Sequence, residues 1–331
     1  MILLVGANGY LGQKLSETFK RKKKKFIKID QTLKGRQKID INDKFQLEKI
    51  FFNNKFKVII NCSCEPATSK LKNKIFKTNV GGNKNLIQLA VRYKVKKFIF
   101  FSTSAIWVKD YRHPVNEKTK TFSVETYGKS KINAENDIIK SKLANWTIFR
   151  IPMIVSERRL GVLSLLFDFI INNKKIPLIN NGNNLIQFIH IDDLIKFILK
   201  SLNINEKEIY NLASEEILSL KELYLKLINS INSKSKLIFF KDFGLLYMLS
   251  ILNKINISPL NIYHLKMLKY SLVMDTKKIT KKYNLKAKIK TSDMMISALK
   301  AYKNKKKFSK YETEITSPIK MGILKIFYYF F

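Results

Sequence analysis

Short, mostly apolar runs recur along the first half of the chain. Between them lie longer stretches in which apolar residues return every three or four positions. The runs are Met1 to Val5, Phe26 to Asp30, Phe56 to Asn61, Lys97 to Ser102 and Trp146 to Ile151, with Lys38-Ile39-Asp40 as a shorter candidate. Runs of this length without strict alternation predict strands covered on both faces, the habit of a parallel sheet. The helical spacing predicts one helix opening near Gly12, a second over Ile75 to Tyr93 and a third over Tyr127 to Leu143. In the second of these, Ile75, Leu86, Leu89 and Ala90 form the expected core face. Such alternation predicts an α/β fold with a doubly wound parallel sheet. Beyond Ile151 the order becomes mixed, with helical patterns at 160–172, 192–202, 219–231 and 244–254. The expected organisation is a sheet domain over 1–155, completed by segments around 186–215. A smaller, mostly helical part over 156–302 follows, then a tail over 303–331 that is basic at first and apolar from Met321 to Phe331.

Composition sharpens this picture. Hydrophobic residues make up 46% of the 331 positions, enough for a sizeable core. The immediate opening on a core strand argues against a signal peptide, and no run reaches the ~18–20 apolar residues of a membrane span. Cys62 and Cys64 have no His/Cys cluster to complete a zinc site, so no metal is expected and a reducing cytoplasm fits. The net charge of +38 is extreme, with Lys-rich clusters at 20–25 and 305–307. Compositional bias toward Lys, Asn and Ile is the favoured reading of that charge. An anionic membrane surface comes second. Nucleic acid comes last, because no helix-turn-helix, zinc-finger or RNA-binding signature is present.

Chemistry enters directly behind the first strand. Gly6-Ala7-Asn8-Gly9-Tyr10-Leu11-Gly12 has the spacing G-x-x-G-x-x-G. Gly6 suits a tight turn, Gly9 the approach of backbone to a pyrophosphate, and Gly12 close packing of helix on strand. The helix start then offers free N–H groups to phosphate. Asp30 follows Gly9 by 21 residues, near the ~20 expected for an acid that binds an adenosine ribose. A carboxylate there repels a 2′-phosphate and favours NAD over NADP.

A second constellation lies near mid-chain. Tyr127-Gly128-Lys129-Ser130-Lys131 puts Tyr127 and Lys131 at i and i+4 on one helix face. A phenol titrates near pH ~10 in isolation, and a neighbouring ammonium favours its ionised form. Upstream, Ser102-Thr103-Ser104 places hydroxyls at a strand end, where open α/β sheets bind ligands.

Together these residues resemble the extended short-chain dehydrogenase/reductase family. Further segments resemble it in order: Asp40-Ile41 near the adenine, Asn61-Cys62-Ser63 beside the cofactor, and the helix from Asn79 to Leu86. Arg150-Ile151-Pro152, Phe188 to Asp193 and Tyr210-Asn211-Leu212 continue the match. The resemblance implies a Rossmann-type sheet and NAD bound by Gly6, Asn8, Gly9, Tyr10, Leu11, Gly12, Asp30, Asp40, Ile41, Asn61, Cys62, Asn79, Ser102, Tyr127 and Lys131. It implies catalysis by Tyr127, Lys131 and Thr103, with Ser102 and Ser104 as alternative hydroxyls.

Within that family the chain resembles the NAD-dependent epimerases and dehydratases of sugar diphosphates. Members that dehydrate carry Asp-Glu after the catalytic hydroxyl. Here Ser104-Ala105 follows Thr103, so the resemblance implies hydride removal and return at C4, a 4-epimerisation. A reductase or dehydrogenase of a keto sugar or hydroxy-lipid is the alternative. Ser104, Arg158 or Arg159, and His190 are the expected substrate contacts, although His190 also reads as a structural strand-end residue. Val108, Val155 and Ser156 depart from the family pattern around the sugar. The apolar C-terminal half also resembles epimerases of lipid-linked sugars, so the carrier stays open between a nucleotide and a polyprenol. A helix-mediated homodimer and peripheral attachment to the inner membrane face are further expectations.

Overall fold

The computed structural model describes residues 1–69, 71–107, 111, 113–158, 160–241, 267–304 and 317–318. β1 (Ile2–Val5) is followed by α1 (Tyr10–Arg21), β2 (Phe26–Ile29), α2 (Lys44–Phe52), β3 (Val58–Asn61), α3 (Lys72–Phe76), α4 (Asn83–Arg92), β4 (Lys97–Thr103), α5 (Thr126–Ile139) and β5 (Trp146–Ile151). Next come β6 (Ile154–Val155), α6 (Leu163–Ile171), β7 (Ile176–Ile179), β8 (Leu185–Ile186), β9 (Ile189–His190), α7 (Ile191–Ser201) and β10 (Lys207–Asn211). The remainder is β11 (Leu218–Ser219), α8 (Leu220–Ser230), β12 (Leu237–Phe240), a helix α9 over Lys277–Tyr283 and a helix α10 over Thr291–Lys303.

Six strands form one sheet in the order β10-β5-β4-β3-β1-β2, and every neighbouring pair is parallel. The order reverses beside β1, which opens a crevice at the C-terminal ends of β1 and β3. Alternate residues of each strand go to opposite cores. Ile2 and Leu4 join residues of α1, α7 and α9, whereas Leu3 and Val5 join residues of α2, α4 and α5. Burial on both faces explains why β1, β3 and β4 read as nearly continuous apolar runs, whereas β2, at the sheet edge, is only partly buried and carries Lys28. All residues of β4 and β5 are buried, and each such large apolar side chain contributes roughly 1.5–3 kcal/mol. The chain returns to this sheet late, since β10 pairs with β5 and α7 covers the α1 side.

A separate apolar cluster lies in the C-terminal part. It joins residues of α6, α8 and α10 with those of β7 and β8, beside three small two-stranded pairings. α8 opens with a reciprocal cap between Ser219 and Glu222.

Several local expectations change. Lys38-Ile39-Asp40 does not form a strand; it makes one bridge, Lys38 to Asp30, because Ile39 alone cannot anchor a ladder after the Gly35–Gln37 turn. The first helix begins at Tyr10 rather than near Gly12, with Gly9 as its extended cap. The helix expected over 75–93 is interrupted by wide π turns at Lys77–Gly82. There the side chain of Ile41 lies against Gly82, where a Cβ would overlap it. The helix expected to reach Leu143 stops at Ile139, before the Lys140–Lys142 turn. The pattern at 244–254 and the apolar Met321–Phe331 segment lie outside the described residues. Among the described residues, no helix is long and apolar enough to cross a membrane.

Candidate active site

The glycine turn has a different physical reason at each position. Gly6 adopts φ +73°, and a Cβ there would overlap the backbone of Cys62 and Ser63. A Cβ at Gly12 would overlap the Gly6 carbonyl, so this glycine lets α1 sit on the turn. Gly9 is different. Its φ of −71° suits any residue, and a Cβ would meet only Gly6 O, at 3.3 Å. The protein's own packing makes little use of the bare Gly9 backbone, which leaves a cradle at the start of a helix with no side-chain cap and no acid in its first turn. This is the surface a pyrophosphate needs. Tyr10 and Leu11 are buried in the core, so only their backbone faces that cradle.

Asp30 stands at the end of β2 beside the turn. Its carboxylate accepts from Asn8 N at 3.2 Å, Thr32 N at 2.9 Å and Thr32 Oγ1 at 2.7 Å. Asn8 Nδ2 also donates to Thr32 Oγ1, which ties turn and strand end together. Asp40 accepts from the backbone and side chain of Asn42, while Ile41 is buried and its carbonyl accepts from Asn85.

At the end of β3, Asn61 accepts from Ser63 N and donates to Asn83 Oδ1 at 3.0 Å. Burial pushes the Cys62 thiol far above its ordinary value, against the pull of the Lys131 charge, and keeps it neutral. Asn79 is buried. Its amide accepts from Glu65 N and donates to Glu65 O and to Ser130 Oγ, so it fastens the β3 loop to α5. That bracing occupies the side chain expected to touch the cofactor.

α5 presents Tyr127 and Lys131 toward this edge. Lys131 Nζ donates to Phe101 O at 3.0 Å and lies 6.0 Å from the centre of the Tyr127 ring. Cys64 Sγ lies 3.9 Å from the Tyr127 hydroxyl. Thr103 Oγ1 accepts from Ala105 N at 3.1 Å and starts the one-turn helix Ser104–Ile106. Ser102 and Ser104 are buried, and their hydroxyls have no hydrogen-bond partner. Ser104 is 0% exposed, because the one-turn helix rolls its side chain inward. The expected substrate contact of Ser104 is therefore not available in this arrangement, and Thr103, at 9% exposed, is the least buried of the three hydroxyl residues.

Gly128 was not singled out in the sequence. A Cβ there would overlap Ser123 Oγ and crowd Ala105 O, so Gly128 lets α5 press on the turn after Thr103. A glycine as the third residue of a helix, where it lowers helix propensity, is the readable signal. A second feature is the buried fork of Arg150 on Glu135, with Nε–Oε1 at 3.1 Å and Nη2–Oε2 at 2.6 Å. The same guanidinium donates to Glu117 O and lies 5.1 Å from the Trp107 ring centre. It joins α5, β5 and the segment leading away from Thr103.

The remaining expected substrate residues lie apart from Tyr127 in their contacts. Arg158 donates to Gln13 Oε1 at 3.0 Å and approaches Glu17, both on α1. His190 caps α7, its Nδ1 accepting from Asp192 N, and burial lowers its pKa against the pull of Asp192 and Asp193. It has the structural task of a helix cap. Arg159 and Val108 lie outside the described residues.

The doubly wound sheet, the glycine turn and the Tyr127–Lys131 helix together define an extended short-chain dehydrogenase/reductase. The model of the NAD dependent epimerase/dehydratase family matches residues 2–213, and the chain belongs to that family. Its cofactor is NAD. An uncharacterized protein of Sinorhizobium fredii is 26% identical over 71% of the chain and 60% of its own length, so the chain spans well under two thirds of that relative. A putative UDP-glucose 4-epimerase of Methanocaldococcus jannaschii is 25% identical over 73% of the chain and 86% of its own length. The structure of Bordetella bronchiseptica WbmG with NAD and UDP superposes with a TM-score of 0.75 at 18% identity, covering 92% of this chain and 95% of that one. At that identity the likeness speaks for the fold alone.

Proposed function

We propose that the protein is a 4-epimerase of a sugar carried on a diphosphate, with Tyr127 as its acid and base. One observation carries the reading. Tyr127 and Lys131 share a face of α5 that Gly128 presses onto the Thr103 turn, and residues 102–107 of that turn contain no carboxylate. An elimination of water needs an acid and a base beyond the tyrosine. A reversible oxidation and reduction at one carbon needs neither.

Gly9 and the start of α1, in the turn that Gly6 and Gly12 permit, would hold the pyrophosphate of NAD, and Asp30 would hold its adenosine ribose. Bound there, NAD would supply a two-electron acceptor. Tyr127 removes the proton of the C4 hydroxyl and later returns it. Lys131, 6.0 Å from the centre of the Tyr127 ring, is the neighbouring cation that would favour the phenolate. Thr103 donates to the substrate oxygen while it is a carbonyl. The sugar presents its other face between the two half-reactions. The Methanocaldococcus relative supports a nucleotide carrier.

The test incubates purified protein with UDP-sugars and with polyprenyl-diphosphate sugars, without added cofactor, and separates the released hexoses. Interconversion of C4 epimers with no net NADH change supports the reading. Stoichiometric consumption of NADH on a keto sugar replaces it with the reductase alternative, and inertness toward every carrier refutes it.

A further inference from the structure

Parallel pairing brings the start of every strand in the large sheet to one edge. Four successive entries to that edge are rich in lysine. Lys22 to Lys25 precede β2, Lys55 and Lys57 precede β3, Lys94 and Lys96 precede β4, and Lys140 and Lys142 precede β5. All ten are exposed. The stretches 20–29, 53–61, 92–101 and 140–149 contain no Asp or Glu. The acids of β10 and of the line before it are already engaged, Glu206 by Lys97 and Glu208 by Lys278.

Compositional bias does not explain this. It would place lysine at both edges alike, yet the exits of β1, β3, β4 and β5, at 5–13, 59–69, 99–107 and 148–158, contain none; the exit of β2 carries Lys34 and Lys38, and α5 brings Lys131 to that edge. On the function proposed above, substrate and cofactor are anions that bind at that lysine-poor end. The lysine edge therefore serves a different anion. Favourable charge at helix C-termini accounts for one or two lysines per helix end, not for the whole edge.

Two further observations describe the partner. Lys94, Lys96 and Lys142 surround a depression of about 260 Å³ with Asn145 and Asn205 on its wall. Phe52, 81% exposed at the end of α2, and Ile139, 44% exposed at the end of α5, stand among the lysines of the same edge. Flexible point charges interleaved with bare apolar side chains suit a layer of anionic headgroups over hydrocarbon. The edge consists of short turns and presents no helix or ribbon to enter a nucleic-acid groove. We propose that this edge is a docking surface for an anionic phospholipid bilayer, with a headgroup phosphate seated between Lys94, Lys96 and Lys142. Docking in this sense turns the Tyr127 end of the sheet toward water.

The experiment is co-sedimentation of the full chain with vesicles at 0.15 M salt, using phosphatidylcholine alone and phosphatidylcholine with about 30% phosphatidylglycerol. Binding is expected only to the anionic vesicles. Lys94→Gln, Lys96→Gln and Lys142→Gln together should weaken it on the order of 100-fold, at roughly 5-fold per lysine. Phe52→Ser should weaken it roughly 10-fold. A charge-matched control, Lys221→Gln with Lys234→Gln and Lys236→Gln, should change it little. Equal binding to neutral vesicles overturns the proposal, as does an equal loss in the control. So does tight binding to a DNA duplex together with none to anionic vesicles.

Discussion

At one edge of the large sheet the chain turns on Gly6, on Asn61 to Ser63 and on Ser102 to Ala105. At the other it turns on Lys22 to Lys25, on Lys55 and Lys57, and on Lys94 and Lys96. The first edge is built from small residues packed so tightly that a Cβ at Gly6, Gly12 or Gly128 would collide with backbone or a neighbouring side chain. The second is open, charged and tolerant. Each edge also holds one buried ion pair, Arg150–Glu135 near the site and Lys97–Glu206 at the far end. The near pair is a two-pronged fork that braces the helix carrying Tyr127. The far pair is looser, at 3.7 Å, and leans on the hydroxyls of Thr147, Tyr210 and Tyr283. The contrast teaches that a parallel sheet separates two kinds of constraint. Chemistry that needs fixed atoms sits where strands end, and surface charge collects where they begin.

The largest expected effect breaks the comparison at its chemical end. Tyr127→Phe should lower kcat by roughly 10²–10⁴-fold while retaining bound NAD, read from the absorbance of cofactor released on denaturation. The triple lysine variant of the far edge should leave kcat unchanged. Equal losses in the two variants would show that the edges are not functionally separate.

Next in size is the buried fork. Arg150→Met leaves the Glu135 carboxylate buried without its partner and should cost about 3–5 kcal/mol in urea unfolding. A loss under about 1 kcal/mol would mean that the fork does not brace α5.

The glycines sharpen the comparison within the site edge. Gly12→Ala should destabilise the fold by about 1–3 kcal/mol through overpacking. Gly9→Ala should change stability by less than about 0.5 kcal/mol and yet abolish retention of NAD. If Gly9→Ala kept its cofactor, the cradle reading of that position would be wrong.

The smallest effect lies at the far edge. Burial, against the attraction of Glu206, lowers the Lys97 pKa to about 8. In the unfolded chain the group returns to about 10.4. Between those values the unfolded state binds more protons, so stability should rise with pH through that window. Urea midpoints at pH 8 and 9, where unfolded tyrosines still keep most of their protons, should rise more in the natural chain than in Lys97→Met; an equal change in the two chains removes the assignment to Lys97.

The part of the candidate site that the sequence suggests is the part whose pattern is local. The i,i+4 pair of Tyr127 and Lys131, the glycine spacing and the acid closing β2 are short-range patterns. The roles of Asn79, Ser104 and Arg158 were not legible. Asn79 meets Glu65 and Ser130, which are 14 and 51 residues away in the chain. Ser104 turns inward because of a single turn of helix, and Arg158 turns to Gln13, 145 residues earlier. No periodicity records partners at such separations.

By itself, then, the sequence determined the alternation of strands and helices, the phosphate-ready turn and the phenol–ammonium pair. Each of these depends on residues a few positions apart, whose backbone geometry fixes what they can do. Tertiary structure alone decided which hydroxyl is buried most deeply, which asparagine becomes a brace and on which edge the lysines gather. Those outcomes follow from the order β10-β5-β4-β3-β1-β2, because hydrogen-bonded pairing between distant segments sets which ends of the chain become neighbours.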